Sequence, residues 1–345
     1  MEKSRFRRLF EFLFVDEKDE NDKYNRAGMG ALFRKELADQ IQSWRFLIVL
    51  LIIAITGVAS VYSAGLGIQS SIQNSSSGGS TFLLLFAASG GSLPSFVSFL
   101  SLLGPIVGLA LGFDAINGER NKRTLTRLVA QPIYRDTVIN GKFLAGLTVI
   151  AIMIYSLGLI FSSIGIMMIG IAPSPEDVLR ILLFLTYTVV FIALWMAIAM
   201  LFSIIFRHVA TTLLSGISIW LFMSFFLSMV ANGIAGAVYP ATESSTEDMI
   251  LNNYNLSEGI SRISPATLYG ESVSAILVPN LRTVTPYSVT SAQLSQLQSA
   301  LEGPLPLDQS LLLVWPHLVG LLAITMLCFA LSYILFMRQE IRVGS

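Results

Sequence analysis

The chain has 345 residues, with 22 Lys and Arg matched by 22 Asp and Glu, and its residues are 54% hydrophobic and only 13% charged. Soluble domains carry about 25% charged residues, so this balance and a mean hydropathy of +0.69 exclude a soluble globular protein and require an integral membrane protein. The net charge of zero gives no reason to expect a nucleic-acid partner, and the single Cys328 excludes an internal disulfide or a cysteine metal cluster.

The charged start MEKSRFRRLFEFLFVDEKDEND lacks a continuous apolar core, so no cleaved signal peptide is expected. Within it, Phe6, Leu9, Phe10, Leu13 and Phe14 recur at helical spacing among arginines. That pattern fits a helix on an anionic membrane surface, or a frayed tail whose arginines anchor the chain. A solvated charged linker follows. Over 29–44, Phe33, Leu37, Ile41 and Trp44 form an apolar stripe beside Arg34, Lys35, Asp39 and Gln40, which predicts an interfacial elbow helix. Trp44 and Arg45 mark the membrane interface.

A helix crosses the hydrocarbon in about 20 apolar residues. Six runs qualify, at roughly 46–65, 95–113, 143–171, 178–206, 209–235 and 309–337. The expected fold is therefore an all-α integral membrane protein with six transmembrane helices. Between the first two, FLLLFAAS is too short to span, and a re-entrant piece or a surface-lying turn is expected. The second run carries Gly104, Gly108 and Gly112 at four-residue spacing, which lets helix backbones approach closely, either inside one subunit or at a dimer face.

Nineteen of the 22 basic residues fall before the first span, between the second and third, at Arg207 or after the last; Arg180, Arg262 and Arg282 fall on the other side. Positive residues stay in the cytoplasm, so both termini are expected there. The segment 236–308 then lies outside, is rich in Ser, Thr and Asn, and reads as a small, mostly helical extracytoplasmic domain. Ser264 and Pro265 suit the cap and first turn of one helix, and SAQLSQLQSALEG suits another. The resulting division is 1–45 for the N-terminal region, 46–235 for spans one to five with the cytoplasmic loop 114–142, 236–308 for the outer domain, and 309–345 for the sixth span and tail.

Chemistry is scarce. Gly141-Lys142 would need a glycine at 136 to make a P-loop, and Asp136 stands there. No H-E-x-x-H occurs, and the two histidines, His208 and His317, are far apart in sequence. His208 reads as the cap of a tight hairpin. His317, after Pro316, reads as a partner for a loosened carbonyl or as a ligand contact. The spans themselves look almost free of ionisable groups, with Asp114 only at an edge, which argues against a carboxylate-driven antiporter. No catalytic residue, metal site or resident cofactor is expected.

The stretch FDAINGERNKRTLTRLVAQPIYRDTVINGK, 113–142, holds six of the basic residues. Asn117-Gly118 signals a turn, Leu125, Leu128 and Val129 form one stripe with Arg120, Arg123 and Arg127 elsewhere, Pro132 ends the helix, and Asp136 suits the next N-cap. A plain positive-inside loop would need neither the stripe nor these stop signals. The phrase resembles the signature of ABC-2 type transporter permeases through Phe113, Asp114, Ile116, Glu119, Arg120, Thr124, Leu125, Leu128, Pro132, Gly141, Lys142 and Phe143, and the six-span plan with an elbow helix is similar too. The resemblance implies a permease that hydrolyses no nucleotide itself. It would pair with a second copy or a homologous permease and couple to two ABC ATPase subunits that carry ATP and Mg. Asp114, Gly118, Glu119, Arg120, Arg123, Thr124, Leu125, Leu128 and Pro132 would then form the ATPase-coupling element of an exporter in a prokaryotic plasma membrane, with membrane lipid around it. A scaffold or receptor that binds an extracytoplasmic protein through 236–308, without transport, is the alternative.

Overall fold

The computed structural model describes residues 20–74, 81–88, 93–121, 135–170, 172–240, 246–279 and 305–338. Among them 89% are helical and none lies in a strand. Helix α1 (Glu20–Ile41) leads into α2 (Trp44–Asn74), followed by the short α3 (Thr81–Ala87), α4 (Phe96–Gly112), α5 (Asn117–Asn121), α6 (Arg135–Ile169) and α7 (Pro175–Ile205). Then come α8 (Val209–Leu221), a π turn (Phe222–Phe226), α9 (Leu227–Val238), α10 (Glu247–Ser261), α11 (Pro265–Leu277) and α12 (Leu307–Arg338). Among the described residues, six stretches are long and apolar enough to cross a membrane: Trp44–Gln69, Phe96–Asn121, Arg135–Ile169, Pro175–Ile205, Val209–Val238 and Leu307–Arg338. They match the six runs read from the sequence. The candidate helix at 4–15 and the SAQLSQLQSALEG helix lie outside the described residues, as does the linker after the first of them up to residue 19; its remaining residues, 20–23, are not linker but the first turn of α1.

Local signals set the helix boundaries. Ser43 separates α1 from α2, its hydroxyl accepting from Phe46 N–H at 3.2 Å. Ser95 caps α4 by accepting from Ser98 N–H. Ser174 and Asp177 form a reciprocal capping box ahead of Pro175 at the start of α7. Gly170, at φ 73°, closes α6 in a left-handed conformation that a side chain would resist. Ser264 caps α11 with Pro265 at its first position, as the sequence predicts. Asp136 does not cap α6. The helix already includes Arg135, and the Asp136 carboxylate accepts from Thr137 N–H within the first turn.

Helix α7 is the hub, with 72% of its most apolar window buried, against 17% for the α8–α9 span at the edge. Gly104, Gly108 and Gly112 of α4 all face α7: a Cβ at Gly108 would stand 2.5 Å from the Ile192 carbonyl, and one at Gly112 2.6 Å from that of Met196. The small residues therefore serve packing within the chain. Helix α3 is not surface-lying. Phe82, Leu83, Leu85 and Phe86 are at most 2% exposed, and Phe86 meets Phe96 and Phe184 edge-on or tilted at about 6 Å.

The segment after α9 packs back against the helices before it. Helix α10 folds back along α9: Asn253 Nδ2 donates to the Tyr239 carbonyl at the end of α9, and Ser257 Oγ bonds Asn232 Oδ1 farther in. After the turn at 262–264, α11 runs outward against α7 and α12. Tyr269 bonds Thr188 at 2.9 Å and stacks on Phe191 at 4.4 Å. Farther out, Arg180 Nη1 donates to the Ile276 carbonyl. The two helices form a hairpin packed back against the bundle, with most of α11 buried in it. Its serines fit there because Ser272 and Ser274 donate to the carbonyls four residues back. Arg180, only 1% exposed, is fully satisfied: its donors reach Glu176, Ile276, Leu305 and Ser310.

Candidate functional site

At the opposite end of the bundle, the chain leaves α4 through a turn at 113–116 and enters α5. The turn is anchored from beneath. Ile116 is fully buried in a small apolar cluster with Leu32, Val138, Ile139, Met200, Ile204 and Phe336, which draws in α1, α6, α7 and α12. Ser203 Oγ of α7 accepts from the backbone N–H groups of both Ile116 and Asn117, at 3.0 and 3.1 Å. Asn117, itself fully buried, donates to Thr212 of α8 at 2.7 Å. These bonds fix the start of α5 to the α7–α8 hairpin. His208 occupies the first cap of α8 without a side-chain bond, so its role there is positional.

A buried ion network fixes α5 from the other side. Lys142 of α6, 5% exposed, places its Nζ 2.8 Å from Glu119 and 2.9 Å from Glu36 of α1. Lys35 adds contacts to Glu36 at 3.0 Å, Asp39 at 3.4 Å and Glu119 at 3.8 Å. Three helices far apart in sequence thus converge on one ammonium. Beside them Asp114 pairs with Arg45, whose guanidinium lies 4.9 Å above the Phe113 ring. A cleft of about 910 Å³ opens between these helices, lined among others by Lys35, Asp39, Arg45, Asp114, Glu119 and Met196.

Among the predicted coupling residues, the structure brings Asp114, Gly118, Glu119 and Arg120 together. A Cβ on Gly118 would stand 3.2 Å from that of Asp114, and Arg120 lies within electrostatic reach of Arg207 in the hairpin. Arg123, Thr124, Leu125, Leu128 and Pro132 lie outside the described residues. On α1, the face turned inward is one position off the expected stripe. Leu32 and Glu36 are buried, Phe33 and Leu37 are half-buried at its edge, and Arg34, Lys35 and Ile41 are exposed, as is Trp44 at the start of α2. The shift has a chemical cause: Glu36 must reach Lys142, so a charged residue sits at the centre of the packed face. The sequence reading passed over Glu36, Ser203 and Thr212. Lys142 enters the sequence analysis through the resemblance and the P-loop test, without a partner, although a lone lysine at the mouth of an apolar run already calls for a carboxylate.

The network makes stability depend on pH. Burial alone would raise the Glu36 carboxyl, but Lys142 and then Lys35 outweigh it and hold it below its ordinary value. Burial would lower Lys35, yet Glu36, Glu119 and Asp39 raise it overall. A lowered carboxyl contributes stability that is complete above its unfolded value, about 4.3, and is lost as pH falls through the folded value. A raised lysine contributes below about 10.4 and loses its share at higher pH. The gap in thermal unfolding midpoint between the unmodified protein and Glu36→Gln is therefore expected to be widest near neutrality and to close below about pH 4. A constant gap down to acid would rule out the ionic contribution.

Six apolar spans, of which α7 is the most buried, with shorter helices packed among them, define a multi-pass membrane protein. The family model described as ABC-2 family transporter protein matches residues 30–341, and the chain belongs to that family of membrane transport components. No curated protein matches the sequence.

Proposed function

We propose that the chain is the permease subunit of an ATP-driven exporter in a prokaryotic plasma membrane, with both termini in the cytoplasm. It dimerises with itself or a homologous permease and couples to two ABC ATPase subunits through residues 114–142. ATP and Mg belong to those partners, and this chain supplies the path across the membrane. The observation that carries the reading is the double bracing of α5. The Glu36–Lys142–Glu119 network joins it to α1 and α6, and the Ser203 and Asn117 bonds join it to α7 and α8. A push on the segment that begins at α5 therefore passes into most of the spans.

Co-expression with the ATPase encoded beside this gene, followed by ATP turnover in nanodiscs, tests the reading. A stable complex is expected, with turnover that depends on this chain. Glu119→Gln combined with Arg120→Ala should leave the complex intact and lower the dependent turnover at least several-fold. Normal turnover in that double variant would remove the coupling role from α5, and the lack of any complex would remove the transporter reading altogether.

A further inference from the structure

At the turn of the α10–α11 hairpin the bundle holds an ionic cluster that the coupling end does not use. Glu271 of α11 is fully buried. One of its carboxylate oxygens lies 2.7 Å from His317 Nε2 of α12 and 3.0 Å from Arg262 Nε at the hairpin turn. Glu258 of α10 stands 3.7 Å from the Arg262 guanidinium and accepts from Tyr254 at 2.7 Å. From α7 the facing titratable group is Tyr187, whose hydroxyl donates to the Val314 carbonyl. The α9 residue bonded to α10 here is the neutral Asn232. His317 lies ten positions along α12 from Leu307, about 15 Å at the helical rise, so the cluster sits at membrane depth.

Two features of the cluster point to a ligand. The first is charge. Glu258 and Glu271 oppose the single Arg262, so with a neutral imidazole the group carries one surplus negative charge, spread over the fully buried Glu271 and the partly buried Glu258, while Arg262 is exposed. Burying an unpaired charge is costly. The second is His317 itself. An ionised carboxylate can only accept, so Nε2 carries the hydrogen that bonds Glu271 and Nδ1 holds the lone pair. His317 is 8% exposed, and its Nδ1 has no hydrogen-bond partner among the described residues. One proton on Nδ1 balances the cluster and turns the Glu271–His317 contact into an ion pair.

We infer that Glu271 and His317 form a proton-binding site whose bound proton latches the α10–α11 hairpin to the last span. With the proton present, Glu271 is held by a cation on each side, Arg262 within the hairpin and imidazolium on α12. Without it the contact to α12 is a hydrogen bond from a neutral imidazole to the carboxylate, and the cluster's unbalanced charge favours opening. The site is independent of the coupling role assigned to α5 at the other end of the bundle.

The chain has only two histidines, so a His208→Gln background leaves His317 as the sole imidazole once any purification tag is removed. Nitrogen NMR of the full chain, labelled with ¹⁵N-histidine in nanodiscs, then reads each ring nitrogen between about pH 5 and 8, where imidazole charge changes fall. The expected result is that Nε2 stays protonated throughout while Nδ1 gains a proton reversibly on acidification. In Glu271→Gln, which keeps an acceptor and removes the charge, Nδ1 should hold that proton less readily. A ring with one unchanging protonation state over this range overturns the inference, as does a titration indifferent to Glu271→Gln. If Glu271→Gln does not fold, the parent titration decides alone.

Discussion

Replacing Lys142 with methionine is expected to cost about 3–5 kcal/mol, the range for removing one partner from a buried ion pair. The size of the loss follows from what is left behind. Glu36 and Glu119, with side chains only 8% and 14% exposed, would face each other across the vacated site. Lys35, half exposed, would remain as their nearest cation. Methionine nearly conserves the stem volume, so the effect reports charge rather than packing. Adding Glu36→Gln and Glu119→Gln should restore most of the loss, because a neutral network no longer needs its ammonium. Thermal unfolding of the purified variants checks both parts. A Lys142→Met protein that melts with the parent would show that the three helices are held by packing alone.

The second large effect is expected on the opposite face of α4. At Gly108 an added Cβ meets the Ile192 carbonyl at 2.5 Å, Met196 N at 2.8 Å and Trp195 Cβ at 2.8 Å. Two of these are backbone atoms of α7, which cannot rotate away, so Gly108→Ala must push the helices apart. Overpacking of this kind costs about 1–3 kcal/mol, and α7 is the hub through which that displacement spreads. Gly112→Ala should behave alike, since its Cβ would meet the Met196 carbonyl at 2.6 Å and Ala199 Cβ at 2.8 Å. Gly104→Ala should be milder, because it meets only side-chain atoms of Ile192 and Phe191 at 3.2–3.5 Å. Midpoint shifts ranking Gly104 equal to or above Gly108 would contradict this packing.

The spans were legible in the sequence because a hydrocarbon crossing demands a long apolar run, and such a run needs no tertiary information. The Ser264-Pro265 start was legible for the same reason, since a cap is local. The burial of α11 was not. A segment rich in Ser, Thr and Asn reads as an outer domain, and only the fold shows its hydroxyls turned back to the helix's own carbonyls and the Glu271 carboxylate met by His317. Those two residues are 46 positions apart, beyond any spacing argument. Glu36 was hidden by a sound habit: a charge on an amphipathic helix normally faces water. Here it faces inward because the helix beside it offers an ammonium. The expectation of spans nearly free of ionisable groups missed the same kind of pairing, in which charges are concealed by supplying each other.

One feature of α7 links the two ends of the molecule. Ser203 holds the start of α5, and Arg180, on the same helix, gathers the far end of α11 and the entry to α12. The 23 helical steps from one to the other span roughly 35 Å of continuous helix. A displacement delivered at Ser203 therefore travels as the tilt of a single rod, with no relay of side chains to slip along the way. Helix α7 behaves as a connecting rod with a bearing at each end, and the stiffness of its backbone sets how faithfully one end follows the other.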